Sequence, residues 1–168
     1  LFKQIVDKAG YSRFLNAFGT YTLFAPTNDG VNAYLKATGK ASVNDIDAAT
    51  AKDIVGISLI ADTLGTQFFS DGKLRTPNTY GQYLTTGAAS VNGVASITIN
   101  KQANLVQGNI KVGNGLIHAI DNVLTPAKLT LAQTIDQDPR YSIFAAALKA
   151  TGFYDTLNVA PADNQLVN

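Results

Sequence analysis

The 168-residue sequence has no cysteine and a single histidine. The first absence excludes a disulfide framework and any thiolate metal site, and the second excludes a zinc site built from several imidazoles. An excess of charge of one sign is missing too. The 13 basic and 12 acidic residues leave a net charge of +1, and no basic run is interleaved with aromatics. Such a balance gives no electrostatic reason to expect nucleic acid or an anionic membrane as partner. No apolar stretch approaches the roughly 20 residues needed to span a bilayer, and no charged start followed by an apolar core marks a signal peptide. Catalytic motifs are equally sparse: no Gly-x-Ser-x-Gly turn presents a nucleophile, and no Asp/Asn-rich calcium loop is found. The carboxylates Asp121, Asp136, Asp138 and Asp155 are scattered through capping and turn contexts and read as caps or solvated groups. No cofactor, metal or catalytic residue is expected.

What is present is core material. Apolar residues make up 46% of the chain and charged residues 15%, which rules out a disordered polyelectrolyte and gives enough for one compact domain with something appended. In residues 1–18, Phe2, Ile5 and Val6, then Phe14, Leu15 and Phe18, recur at helical spacing with Gly10 between them, so two short amphipathic helices are predicted. Residues 21–25 form an apolar strand-type run that ends at Pro26, and Thr27 is placed to cap a helix that opens on Asn28 and Asp29. Gly30 cannot complete a capping box, so this helix start is good but not optimal.

Further along, Ser42 with Asp45 and Thr50 with Asp53 resemble capping boxes, and residues 54–64 read as one largely buried helix. After the Asp71-Gly72 turn signal, residues 83–86, 95–99, 105–106, 110–112 and 116–124 read as short strands, with Asn92-Gly93 as a hairpin turn and Pro126 ending the last strand. A helix-rich front and a strand-rich back point to an α+β domain over residues 1–126, because a doubly wound sheet would need regular βαβ alternation. In residues 127–168 helices return, and Tyr141-Ser142-Ile143-Phe144 repeats Tyr11-Ser12-Arg13-Phe14. The tail reads as the helical beginning of a second, incomplete copy.

Two stretches together resemble the fasciclin (FAS1) domain. The first is Tyr21-Thr22-Leu23-Phe24-Ala25-Pro26-Thr27-Asn28-Asp29 and the second is Gly113-Asn114-Gly115-Leu116-Ile117-His118-Ala119-Ile120-Asp121-Asn122-Val123-Leu124-Thr125-Pro126. The resemblance covers essentially all of residues 1–126. It implies a fasciclin-like β-wedge or sandwich core with a helical N-terminal half, and helices from a partial second repeat at the C-terminus. It also implies a secreted, surface-anchored or periplasmic adhesion protein, larger than this chain. Residues 69–74 and 80–84 look like bacterial surface members. Ile57-Ser58 and Asn109-Ile110 stand where many relatives carry Tyr-His and Asp-Ile, pairs tied to integrin-type adhesion in animal members, so that role is not carried over.

His118 is the one side chain that titrates near neutrality. In an alternating strand it shares a face with Leu116 and Ile120, so it reads as a neutral, hydrogen-bonded core residue; the fasciclin resemblance implies in addition that it bridges the two motifs. The candidate interaction surface is Phe68, Phe69, Tyr80 and Tyr83 around the Asp71-Gly72 turn, with Asn109 and Ile110; aromatics with a polar handle favour interfaces and sugar faces. At least half of the aromatic set is expected to plug the open end of the sheet instead. The tail helix over 139–150 is expected to expose Tyr141, Phe144 and Leu148, with Phe153 and Tyr154 nearby, and to offer a homodimer contact through 139–154. The leading functional expectation is a non-enzymatic extracellular module for a cell-surface or matrix protein or glycan. A small-molecule or lipid-binding module using a cleft in the wedge is the alternative, and an enzyme has the least support.

Overall fold

The computed structural model describes residues 1–15, 19–91 and 93–159. These fall into two compact units, Leu1–Pro126 and the part that starts at Ala127. In the first unit, helices α1 (Phe2–Lys8) and α2 (Ser12–Leu15) lead into strand β1 (Tyr21–Pro26). Phe18 and Asn92, both part of the sequence reading, lie outside the described residues. Thr27 caps helix α3 (Asn28–Ala37) by accepting from the Gly30 N–H at 3.1 Å. Ser42 and Asp45 close a capping box, but on a three-residue 3-10 turn.

Helix α4 (Ala48–Ser58) corrects the sequence reading at both ends. Its cap is Asp47, which accepts from the Thr50 N–H at 2.8 Å, so Thr50 lies inside the helix. At the other end, Leu59–Ile60 form strand β2, which pairs antiparallel with β1 through Thr22↔Ile60 and Leu23↔Leu59. An apolar run serves a buried helix or a buried strand equally well, and the open edge of β1 decides between them.

Strands β3 (Gly72–Lys73), β4 (Thr85–Val91), β5 (Val94–Ile99), β6 (Ala103–Val112) and β7 (Gly115–Ile120) complete a seven-stranded sheet of order β2-β1-β7-β6-β5-β4-β3. The segments 105–106 and 110–112, expected as two strands, are one strand interrupted by bulges between Leu105 and Gln107 and between Gln107 and Ile110. The last strand ends at Ile120, not at Pro126, because the chain bends at Asp121.

The sheet is antiparallel except between β1 and β7, second and third in its order, which run parallel in register from Tyr21↔Gly115 to Pro26↔Ile120. β1 separates two cores. Leu23 and Ala25 pack on a helical core that includes Ile5, Val31, Ile54 and Val55, while Phe24 belongs to a sheet core with Ile57, Leu84, Ile99 and Ile120. Two glycines allow the backbones to close up around the β1–β7 pair. A Cβ on Gly115 would fall 1.9 Å from the Tyr21 carbonyl oxygen, and one on Gly30 would fall 2.6 Å from that of Asp121.

In the second unit, Thr130 and Gln133 form a capping box at the start of α5 (Leu131–Gln137), followed by α6 (Ser142–Ala150) and α7 (Phe153–Leu157). Ala132, Ala145 and Leu148 are its buried apolar residues. Leu148 therefore corrects the expectation that it is exposed: it belongs to the inward face of α6. Tyr154 is only half exposed, with the Lys149 ammonium 5.1 Å from its ring centre. Tyr141, Phe144 and Phe153 are exposed, and Ile143 most of all at 86%.

Candidate functional site

His118 is fully buried, and its ring is stacked on Phe24 at 5.4 Å between centroids and tilted against Phe69 at 5.0 Å. Nδ1 accepts from the backbone N–H of Asn109 at 3.2 Å, which leaves the proton on Nε2, where it donates to the Leu64 carbonyl at 2.8 Å. Burial holds the imidazole below its ordinary pKa, partly opposed by the Leu64 bond, so the ring is neutral at pH 7. With both nitrogens bound to backbone, the ring has none left for a substrate proton.

A second side chain secures the same residue through its other backbone group. Thr22 Oγ1 accepts from the Leu64 N–H at 2.8 Å and donates to the Asp62 carbonyl at 2.7 Å. Asn109, in the left-handed region at φ 58, directs its amide back to the same segment: Oδ1 accepts from the Thr66 N–H at 2.9 Å and Nδ2 donates to Thr66 Oγ1 at 2.6 Å. The sequence reading placed Thr22 and Asn109 among the candidates but missed Leu64 and Thr66, and with them the clasp. The available signal was Thr22 itself, a polar residue on the same strand face as Phe24.

The remaining motif residues cluster at the ends of the central strands. Pro26 is buried, Ala25 is half-buried, and the exposed Asn28 opens α3. Asn114 donates through Nδ2 to the Leu15 carbonyl at 2.7 Å, while its own carbonyl takes the Tyr21 N–H at 3.0 Å. Asp121 accepts from both the backbone N–H and Nδ2 of Asn104, at 2.6 and 2.8 Å. Leu124 is fully buried, and the Gln102 amide brackets Thr125 one residue before Pro126.

Of the candidate surface aromatics, Phe69 turns inward onto His118 and Phe24 and is a packing residue, whereas Phe68 and Tyr80 stay exposed, fewer inward than expected. Phe68 is 47% exposed under the Arg75 guanidinium, and Tyr83 is half-buried under the Lys73 ammonium, 3.9 Å from its ring centre. Tyr80 is exposed and hydrogen-bonds Asp53 on α4, with its ring lying where a Cβ on Gly56 would be. Ile110 is half-buried on β6. A separate cleft of about 300 Å³ is lined by Ala9, Gly10, Tyr11, Phe14 and Thr79. Among the described residues, no group of three or more His, Cys, Asp or Glu side chains gathers as for a metal, and no helix is long and apolar enough to cross a membrane.

Thus the two sequence motifs are neighbouring parallel strands, joined by the Phe24–His118 stack. The family model of the Fasciclin domain matches residues 1–126. The chain belongs to the fasciclin domain family. Among solved structures, the fasciclin domain fold is shared with a FAS1 domain pair from the insect cell adhesion molecule fasciclin I, at 21% identity and a TM-score of 0.57. That match covers 95% of this chain and 56% of the insect chain, so this chain spans little more than half of its solved relative. No curated protein matches. The mixed α+β architecture expected from the sequence is that of the fasciclin fold.

Proposed function

We propose that this fasciclin domain is a non-enzymatic interaction module, working outside the cell, on its surface or in the periplasm, and binding a protein or glycan partner. The observation that carries the reading is the occupation of its one histidine. Both ring nitrogens of His118 hold backbone groups, so the central motif is spent on architecture and the exposed loops remain for recognition. The adhesion role of the insect relative supports the same reading. The surface assigned to recognition is Phe68, Tyr80 and Tyr83 with their cationic neighbours Lys73 and Arg75. On this reading residues 127–168 begin a second fasciclin domain of a secreted or surface-borne bacterial protein. The repeat of Tyr11-Ser12-Arg13-Phe14 and the alignment of 95% of the chain with a domain pair support that. The exposed Tyr141, Ile143, Phe144 and Phe153 would then be covered by the rest of that domain or by a second copy of the chain.

The test is a glycan array and a pull-down from surface extract, using the intact chain and a Phe68→Ala/Tyr83→Ala variant. Phe69 is left intact because its replacement would disturb the core. Binding by the intact chain and its loss in an equally stable variant is the expected result. Binding unchanged in the variant moves the surface elsewhere, and turnover of any captured partner overturns the non-enzymatic reading. Light scattering of the chain against residues 1–126 tests self-association, with two monomers counting against it.

A second reading, a small-molecule or lipid site, draws on the cleft lined by Tyr11 and Phe14. A bound apolar ligand found by native mass spectrometry, with no partner in either binding assay, would favour it.

A further inference from the structure

The segment 64–69, with a 3-10 turn over Thr66–Phe68, joins no strand of the sheet. Side chains hold it in place. Thr22 takes the Leu64 N–H, His118 takes the Leu64 carbonyl, the Asn109 amide takes the N–H and the hydroxyl of Thr66, and just beyond the far end Thr86 Oγ1 donates to the Ser70 carbonyl. His118 also anchors Asn109 through the Asn109 N–H, so one imidazole holds both sides of the contact between this segment and the bulge of β6.

We propose that His118 is an acid-released clasp: protonation of Nδ1 turns the acceptor of the Asn109 N–H into a donor, and the 64–69 segment detaches from β6 before the domain unfolds. The physical basis is the geometry around the ring. An imidazolium has two donors and no acceptor, so the proton on Nδ1 would face the Asn109 N–H head-on. The ring is enclosed by Phe24 and Phe69, and a buried cation without a partner is strongly disfavoured.

None of the charged groups nearby stands in as partner. The segment itself carries no charged residue; flanking it, Asp62 is bound by Thr76 and Arg75, and Asp71 accepts from the Ala88 N–H. Lys111 on β6 is exposed, Asp121 beyond β7 is taken by Asn104, and β1 contributes only Tyr21, which packs at a tilt against Phe14. The imidazolium gains hydration only when the segment moves. Opening then takes up one proton and frees Phe69 beside the exposed Phe68, enlarging the apolar surface in acid.

Amide hydrogen exchange of the whole chain between pH 7 and 5, expressed as protection factors so that intrinsic exchange rates cancel, tests this. The Leu64, Thr66 and Asn109 amides are expected to be less protected than those of Ile54 and Val55 in α4, and to lose up to about tenfold in protection per pH unit below about 6.5. Equal protection at the two sets of amides would mean that the segment opens only with the whole domain, and overturns the proposal. So does protection at the clasp that is unchanged with pH. In His118→Gln, which keeps a donor and an acceptor but does not titrate, the pH dependence should vanish; its persistence assigns the effect to a carboxylate and also overturns the proposal. Where that variant does not fold, the ring resonances of the wild-type chain decide. Their titration must coincide with the loss of Asn109 protection, and a ring that titrates while that amide stays protected refutes the clasp.

Discussion

Phe24 on β1 and His118 on β7 are register partners in the parallel pair of the sheet, and their rings stack at 5.4 Å between centroids. The contact links the first and last strands of the domain's core. The helices and strands between them fill the long crossover that a parallel pair requires.

His118→Ala is expected to destabilise the domain by about 2–5 kcal/mol, because it opens a cavity between two aromatic rings and leaves the Leu64 carbonyl and Asn109 N–H without partners. Urea denaturation followed by far-UV circular dichroism measures it. A stable variant that loses only partner binding would contradict the structural role.

Thr22→Val keeps the shape of the side chain but removes both of its hydrogen bonds, stranding the Asp62 carbonyl and the Leu64 N–H. The expected cost is about 1–3 kcal/mol. Because Thr22 and His118 hold the N–H and the carbonyl of the same residue, Leu64, Thr22→Val and His118→Gln should not be additive. A double-mutant cycle with coupling below about 0.5 kcal/mol would show that the two act independently.

Stability should fall on mild acidification. Burial keeps the folded His118 pKa below the unfolded value of about 6.5, so as pH falls the unfolded chain takes up the proton first. The contribution is complete above about 6.5 and is lost as pH descends toward the lower folded value, with a slope of up to about 1.4 kcal/mol per pH unit. The Asp62 carboxyl is held below its ordinary value first by the Thr76 hydroxyl and then by its Thr63 and Arg75 contacts, so its contribution is complete above the ordinary carboxylate range and is lost only as pH falls below it. Urea midpoints at pH 7.5, 6 and 5 should decline in the wild type and stay level in His118→Gln.

Gly30→Ala brings a Cβ to 2.6 Å from the Asp121 carbonyl oxygen, a backbone atom that cannot swing aside. The expected loss is about 1–3 kcal/mol despite alanine's better helix propensity. Gly113→Ala, with nothing within 4 Å of its added Cβ, is the control and should change stability by no more than about 0.5 kcal/mol. Equal melting temperatures for the two variants would show that the helix α3 contact relaxes freely.

Much of the fold was legible because its signals are local. Pro26 closing β1 and Thr27 capping α3 depend only on a missing N–H and a hydroxyl within reach of the next turn. The errors arose where a local pattern had two solutions. The apolar residues after Ser58 fit a longer helix, but β1 offered an unpaired edge and took Leu59–Ile60 as a strand. Asp47 displaced Thr50 as a cap because its carboxylate reaches the Thr50 N–H from just outside the helix. At the candidate surface, sequence could not separate Phe68 from Phe69. They are adjacent, equally apolar and assigned to opposite environments only by the position of His118.

By itself the sequence determined the class of the domain and its two motifs, because caps, strand ends and apolar periodicity act over one or two turns of chain. Only the tertiary structure decided that the motifs lie side by side. It also decided that one imidazole meets Leu64, 54 residues earlier, and that Asn109 reaches Thr66 across 43 residues. Those contacts follow from the parallel register of β1 and β7 and from the bulge in β6. Register is set by the packing of both cores at once, and no short stretch of sequence contains both.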